Sequence, residues 1–127
     1  KLDNTGVMHP AYSRRNPLDI VGDALPERYN ASINVLLSEP YIKGVIVIQT
    51  LQAMTDSLKD AQIVVKAGRK FREKPIICVY MGGKFSSKSI ELLEMNGMPD
   101  YNDVTKAALA VKGLVERNEF LKRLGKP

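Results

Sequence analysis

Residues 44–57 constrain this chain more than any other stretch. Gly44 is followed by the unbroken apolar run Val45, Ile46, Val47, Ile48. A strand that alternates apolar and polar residues covers one face of a sheet. An unbroken β-branched run is buried on both faces, as strands are when helices lie above and below them. The polarity changes at Gln49 and Thr50, and Thr55, Asp56 and Ser57 are three consecutive N-cap candidates. From Leu58 onward the apolar spacing is helical. The stretch therefore reads as strand, loop and helix start. Such a unit places backbone N–H groups and the positive end of a helix dipole at the carboxyl edge of a sheet.

The same pattern recurs. Pro75 leads into Ile76, Ile77, Cys78, Val79 and Tyr80, a second run expected to be a buried strand, followed by a turn at Met81, Gly82, Gly83 and Lys84. Ser86 or Ser87 is expected to cap the next helix, with Ile90, Leu92 and Leu93 facing in and Asn96–Gly97 as its C-cap. Between the two strands, Ala61, Val64, Val65, Gly68 and Phe71 or Arg72 follow helical spacing. Gly68 is expected to allow close packing on the sheet, at about 1 kcal/mol against Ala. Before the first strand, Pro26 suits a first helical turn, Tyr29, Ile33, Leu36 and Leu37 share a face, and Pro40 stops the helix. Leu18 to Val21 is expected to form a further short strand, ended by Gly22 and Asp23. Met98 to Tyr101 reads as a short extended stretch. Asp103 is expected to cap a last helix with Val104, Ala107, Ala108, Val111 and Val115 inward. Strands and helices alternating at this spacing imply parallel crossovers and an α/β fold, with helices on both faces of a three-layer parallel sheet. The expected organisation is an irregular segment 1–15, a domain over 16–116 and a charged tail over 117–127. Phe120, Leu121 and Leu124 suit a helical continuation of that tail, packed loosely or docked on another chain.

At 127 residues the chain suits one domain with one core. It does not begin with Met, which suggests processing, cutting or a partial sequence. No signal peptide or membrane-spanning run is read, and the single Cys78 inside an apolar run suits a reducing, cytoplasmic compartment. Net charge is +5, and the densest basic run, Lys66, Arg69, Lys70, Arg72 and Lys74, alternates with apolar helix positions as a solvated face does. With no Trp and only 6% aromatic residues, neither a basic stripe nor stacking platforms point to nucleic acid.

Dinucleotide, phosphate-loop, zinc-protease and Cys/His metal motifs are absent, and one histidine builds no triad. His9, flanked by Pro10 in an irregular loop, reads as a solvent-exposed residue. Asp19 and Asp23 can be read as an acid pair or magnesium ligands, but strand-end and turn roles suit them better. Gly82–Gly83 can approach a phosphate, a weak signal. Met54 reads as a packing residue. The residues by themselves describe an α/β domain with an anion-friendly loop edge and no catalytic set or metal site of its own.

Several segments resemble one family. Asn16 to Ile20, with Gly22, Asp23, Ala24, Arg28 and Tyr29, resembles the Asn-Pro opening motif of the second ligase domain of NDP-forming acyl-CoA synthetases. Gln52, Ala53, Met54, Thr55 and Asp56 resemble its loop, and Lys74–Pro75 with Met81, Gly82 and Gly83 its later strand and turn. The likeness covers about residues 15–115, in order and with the family's spacing. The family includes ADP-forming acetate–CoA ligases and is related to succinyl-CoA synthetases. Two departures stand out. Leu51 occupies a position where many members have Pro, and residues 1–15 do not resemble the Gly-rich strand and helix that open the family domain.

The resemblance implies a flavodoxin-like fold, incomplete at its N-terminus, within an enzyme that interconverts acyl-CoA, ADP or GDP and phosphate with acid, CoA and ATP or GTP. A histidine on a neighbouring domain carries the phosphoryl group, so His9 is not its counterpart. The implied role of Thr50, Gln52, Ala53, Met54 and Thr55 is to face that phosphohistidine from a helix N-terminus, with Asp19, Gly22, Asp23, Gly82 and Gly83 as secondary loops. CoA, ATP or ADP and Mg would be bound elsewhere in the enzyme, by CoA-binding and ATP-grasp partner domains or subunits, and an oligomer is expected. A regulatory module of a protein acetyltransferase and a stand-alone flavodoxin-like or receiver-like binding module remain alternatives.

Overall fold

Six regular elements organise the described residues, 1–125, of the computed structural model. In chain order they are α1 (Pro26–Ser38), β1 (Val45–Gln49), α2 (Ser57–Lys70), β2 (Ile76–Tyr80), α3 (Ser87–Met95) and α4 (Val104–Arg123). Short 3-10 turns cover Asp3–Thr5 and Gly83–Ser86. β1 and β2 pair in parallel, Val45 beside Ile76, Val47 beside Cys78 and Gln49 beside Tyr80. All five residues of β2 are buried, as its unbroken apolar run predicts.

The period of two along each strand divides the core. Val45, Val47, Ile76, Cys78 and Tyr80 join Tyr29, Ile33 and Leu37 of α1, Ala61, Val64 and Val65 of α2, and Leu93 of α3. Ile46, Ile77 and Val79 face the other way, against Ala107, Ala110 and Val111 of α4 and Tyr101. Helices thus lie on both faces of a parallel sheet, the three-layer α/β arrangement expected. Burial of the Val, Ile and Leu side chains among these contributes about 1.5–3 kcal/mol each to folding.

The sheet is smaller than expected. Leu18 to Val21 is not a strand. The Asp19 carboxylate accepts the Val21 N–H at 2.8 Å, Val21 sits at φ +71°, and the Ala24 N–H donates to Val21 O at 3.0 Å. An Asp that bonds the backbone two residues on makes a turn in place of a ladder. The Ser13 N–H also donates to Asp19 O at 2.8 Å, so the segment folds back on the N-terminal loop. On the far side of β2, the 98–101 stretch does pair: the Cys78 N–H donates to Pro99 O at 2.8 Å and the Tyr101 N–H to Cys78 O at 2.9 Å. The Asp100 carboxylate takes the Tyr80 N–H at 2.9 Å, replacing the carbonyl a longer strand would offer. No described strand pairs with the other edge of β1.

Three local expectations change. Gly68 meets Met98 and not chiefly the sheet: a Cβ there would lie 2.7 Å from Met98 Cε and 4.0 Å from Ile76 Cδ1. In α4 the inner face is Ala107, Ala110 and Val111, while Val104, Ala108 and Val115 turn outward. That helix is apolar on several sides, so spacing alone could not select its inner face. Ser86 stands at the N-cap of α3 as expected, but its side chain makes no capping hydrogen bond; Ser87 Oγ donates back to Lys84 O at 2.9 Å. The helix of the tail runs unbroken to Arg123, and Lys126 and Pro127 lie outside the described residues.

Candidate functional site at the carboxyl edge of the sheet

β1 ends at Gln49, and Thr50 to Asp56 carry the chain to α2. Of the three N-cap candidates Asp56 is the cap: its carboxylate accepts the Lys59 N–H at 3.0 Å and pairs with Lys59 Nζ at 3.2 Å. The Lys59 N–H, more than the Lys59 ammonium, holds the Asp56 carboxyl below its ordinary range. Ser57 points inward, donating to Ser89 Oγ of α3 at 2.7 Å in a buried contact.

The loop closes on itself through Thr55. Its hydroxyl accepts the Gln52 N–H and donates to Gln52 O, both at 2.9 Å, and its own N–H donates to Gln52 O at 3.1 Å. Of the five residues implied to face a phosphohistidine, Gln52 and Thr55 therefore have their backbone N–H groups taken within the loop. Among the described residues no hydrogen bond engages the amides of Ala53 and Met54 at the tip. Met54 is 65% exposed there and packs in no core.

The turn after β2 meets this loop. The Met81 N–H donates to Gln49 O at 2.9 Å, and a Cβ on Gly82 would lie 3.3 Å from the Leu51 Cβ and 2.0 Å from Ser86 Oγ. Gly82 is thus required by close approach, and Gly83 by its φ of +53°. Thr50, Gln52, Ala53, Met54 and Thr55 share one edge with Gly82 and Gly83. Asp19 and Asp23 do not form a pair. Asp19 is spent on Val21. Asp23 binds Arg28 Nη1 at 2.6 Å, which lowers its pKa, and Arg28 also donates to Ile20 O at 2.9 Å. Gly22 lies in the turn between them. His9 Nδ1 accepts the Ala11 N–H at 3.1 Å, a local turn contact. The basic run also has protein partners: Arg69 reaches Asn96, Lys70 reaches Asn34, and Lys74 bonds the carbonyls of Leu37 and Glu39.

Beneath the edge lies a polar group that the motif reading passed over. Gln49 and Asp60 have no exposure, and Tyr80 is 3% exposed. The amide of Gln49, both carboxylate oxygens of Asp60, the Tyr80 hydroxyl and Ser86 Oγ are buried without a hydrogen-bond partner among the described residues. Burial pushes the Asp60 carboxyl up to about 7, the Gln49 amide offsetting part of this and Asp56 and Glu27 adding to it. Burial likewise raises Tyr29 and Cys78 to about 12 and Tyr80 further. Position 60 lies one turn before Val64 on the buried stripe of α2, so a carboxyl inside was legible from spacing.

Comparison with known proteins agrees with this arrangement. Residues 4–120 match the Ligase-CoA domain family. The chain is 34% identical over 99 residues to "Acetate--CoA ligase [ADP-forming] I" of Archaeoglobus fulgidus, covering 78% of this chain and 13% of that protein. It is 30% identical over 112 residues to "Acetate--CoA ligase [ADP-forming] II subunit alpha" of Pyrococcus furiosus, covering 85% of this chain and 24% of that subunit. It therefore spans less than a quarter of the length of either relative. A solved structure titled as the dinucleotide-forming acetyl-coenzyme A synthetase 1 of Ca. Korarchaeum cryptofilum, in complex with phosphate and ADP, superposes with a TM-score of 0.72. It is 23% identical, and the match covers 80% of this chain and 22% of that one, which carries the fold. A parallel strand–helix–strand core, a capped loop at its carboxyl edge and a family match over most of its length agree: the chain belongs to the Ligase-CoA domain family.

Proposed function

We propose that the chain works as a domain of an NDP-forming acyl-CoA synthetase and presents the α2 N-terminus to a phosphohistidine carried by a partner domain. The proposed reaction converts acyl-CoA, ADP or GDP and phosphate into acid, CoA and ATP or GTP, reversibly. CoA, nucleotide and Mg would be held by CoA-binding and ATP-grasp partners, and this chain would contribute electrostatics. The observation that carries the reading is the exposed loop tip at Ala53 and Met54, directly before the capped start of α2. The first N–H groups of a helix lack internal acceptors, and the dipole adds about half a positive charge there. An anion gains about 0.3–2 kcal/mol from such a dipole. The Asp56 carboxylate opposes it, but is turned onto the Lys59 N–H and ammonium, which offset its charge.

The test uses the multi-domain enzyme. Ala53→Asp sets a fixed negative charge at the loop tip, and Ala53→Gly keeps the amide as a control. Acyl-CoA binding should survive in both. Phosphorylation of the histidine from ATP should fall at least about tenfold in Ala53→Asp, equivalent to about 1.4 kcal/mol, and little in Ala53→Gly. Unchanged phosphoryl transfer in a folded Ala53→Asp enzyme ends the reading.

A further inference from the structure

Gln49 and Tyr80 are register partners at the ends of β1 and β2, on the face that α2 covers, and Asp60 of α2 lies close enough to act on both. Ser86 stands at the same edge against Gly82. Among the described residues none of their buried polar atoms has a hydrogen-bond partner. We propose that Asp60, with Gln49 and Tyr80, is a buried proton-holding cluster that positions the first turn of α2, so that loss of its proton weakens anion docking at the 50–55 loop. The second half of this statement rests on the reading given under Proposed function.

The chemistry follows from what each group can offer. An ionised carboxylate only accepts hydrogen bonds. A protonated one also donates, and Gln49 Oε1 and the Tyr80 hydroxyl are neighbouring acceptors. Of the surroundings only the Gln49 amide favours the anion, and it offsets part of the burial penalty. From α1 come Glu27 and Tyr29, from β2 Tyr80, and from the start of α2 Asp56. None of the groups that act on Asp60 is a cation. The α2 dipole favours negative charge in its first turn, but complete burial outweighs it. Ionisation therefore places an unpaired charge under the turn whose cap forms the end of the loop. A phosphoryl group docked at the loop and a charged Asp60 repel, and by linkage each lowers the affinity for the other.

The sign is definite. In the folded protein Asp60 titrates near 7, and in the unfolded chain near 3.8. The folded state holds the extra proton between these values, so stability falls as pH rises from about 4 to about 7 and then levels off. In the full multi-domain protein, the unfolding midpoint of wild type should drop by about 4 °C or more between pH 5 and 7.5 relative to Asp60→Asn, which keeps shape but cannot ionise. The Asp60 carboxyl, followed by carbon-13 NMR in wild type, should titrate above pH 6. Phosphoryl transfer from ATP should fall about five- to tenfold more steeply from pH 6 to 8 in wild type than in Asp60→Asn. A carboxyl that titrates near 4 overturns the proton-holding cluster, even where the variant fails to fold. A high titration with parallel pH profiles for transfer overturns the coupling to the loop. Ala53→Asp without effect on transfer removes the phosphoryl reading alone, and leaves the titration and midpoint arms decisive for the cluster.

Discussion

Two glycines of similar appearance in the sequence carry different constraints. At Gly82 an added Cβ would fall 2.0 Å from Ser86 Oγ and 3.1 Å from its Cβ, inside a buried corner where both strand ends and the loop meet. Gly82→Ala is expected to destabilise by about 1–3 kcal/mol, as overpacking of a close-packed site does. At Gly68 the obstructing atoms are Cε and Sδ of Met98, the end of a flexible side chain that can swing away. Removal of a mid-helix glycine gains about 1 kcal/mol, so Gly68→Ala should be near neutral or slightly stabilising. Chemical denaturation of both variants checks the pair. Equal losses would mean that the Met98 end is as rigid as the Gly82 corner. Val21 shows the same dependence on surroundings: its β-branched side chain sits at φ +71° because Asp19 and Ala24 hold a turn around it.

At the scale of elements, α2 joins the sheet to the loop edge. Its buried stripe of Ala61, Val64 and Val65 docks it on the sheet, and Asp56 ends it with a cap that a carboxylate makes well. Asp56→Ala should cost about 1 kcal/mol of stability at neutral pH. The Asp56 carboxyl is held below its ordinary range, so its contribution is present above about pH 4 and is lost as pH falls through its folded pKa. Wild type and Asp56→Ala should therefore converge in stability toward pH 2 and diverge above pH 4, the reverse of the trend that Asp60 imposes. Thermal unfolding across that range separates the two carboxyls, which lie one turn apart on one helix. A constant difference between wild type and Asp56→Ala at all pH values would mean that packing, not the cap, sets the loss.

At the scale of the whole molecule, β1 presents an outer edge. No described strand pairs with it, Ile48 beside it is 40% exposed, and α4 adds outward-facing Leu109, Val115 and Phe120. An unpaired strand edge next to apolar side chains is a template for pairing with another chain. The isolated chain, of 14.1 kDa, is expected to associate as its concentration rises, and light scattering should report species of at least twice that mass. Lys or Glu in place of Ile48 should reduce that association by charging the edge. A strictly monomeric chain at high concentration would show that the edge is protected without a partner.

The elements were legible because their signals are local. Unbroken apolar runs at 45–48 and 76–79, Pro26 at a helix start, Asp56 and Asp103 as caps and Gly97 at φ +73° each depend on residues within one or two turns of chain. The family likeness was legible for the same reason, since its motifs are contiguous. Three things required the tertiary structure. Leu18 to Val21 has strand-like composition, but a side-chain bond from Asp19 outcompetes a ladder whose partner must come from elsewhere. The inner face of α4 follows from the sheet beneath it, because its apolar residues surround the helix. The convergence of Gln49, Asp60 and Tyr80 joins three elements separated in sequence, and only packing decides that a carboxyl on an amphipathic helix is buried beside an amide and a phenol.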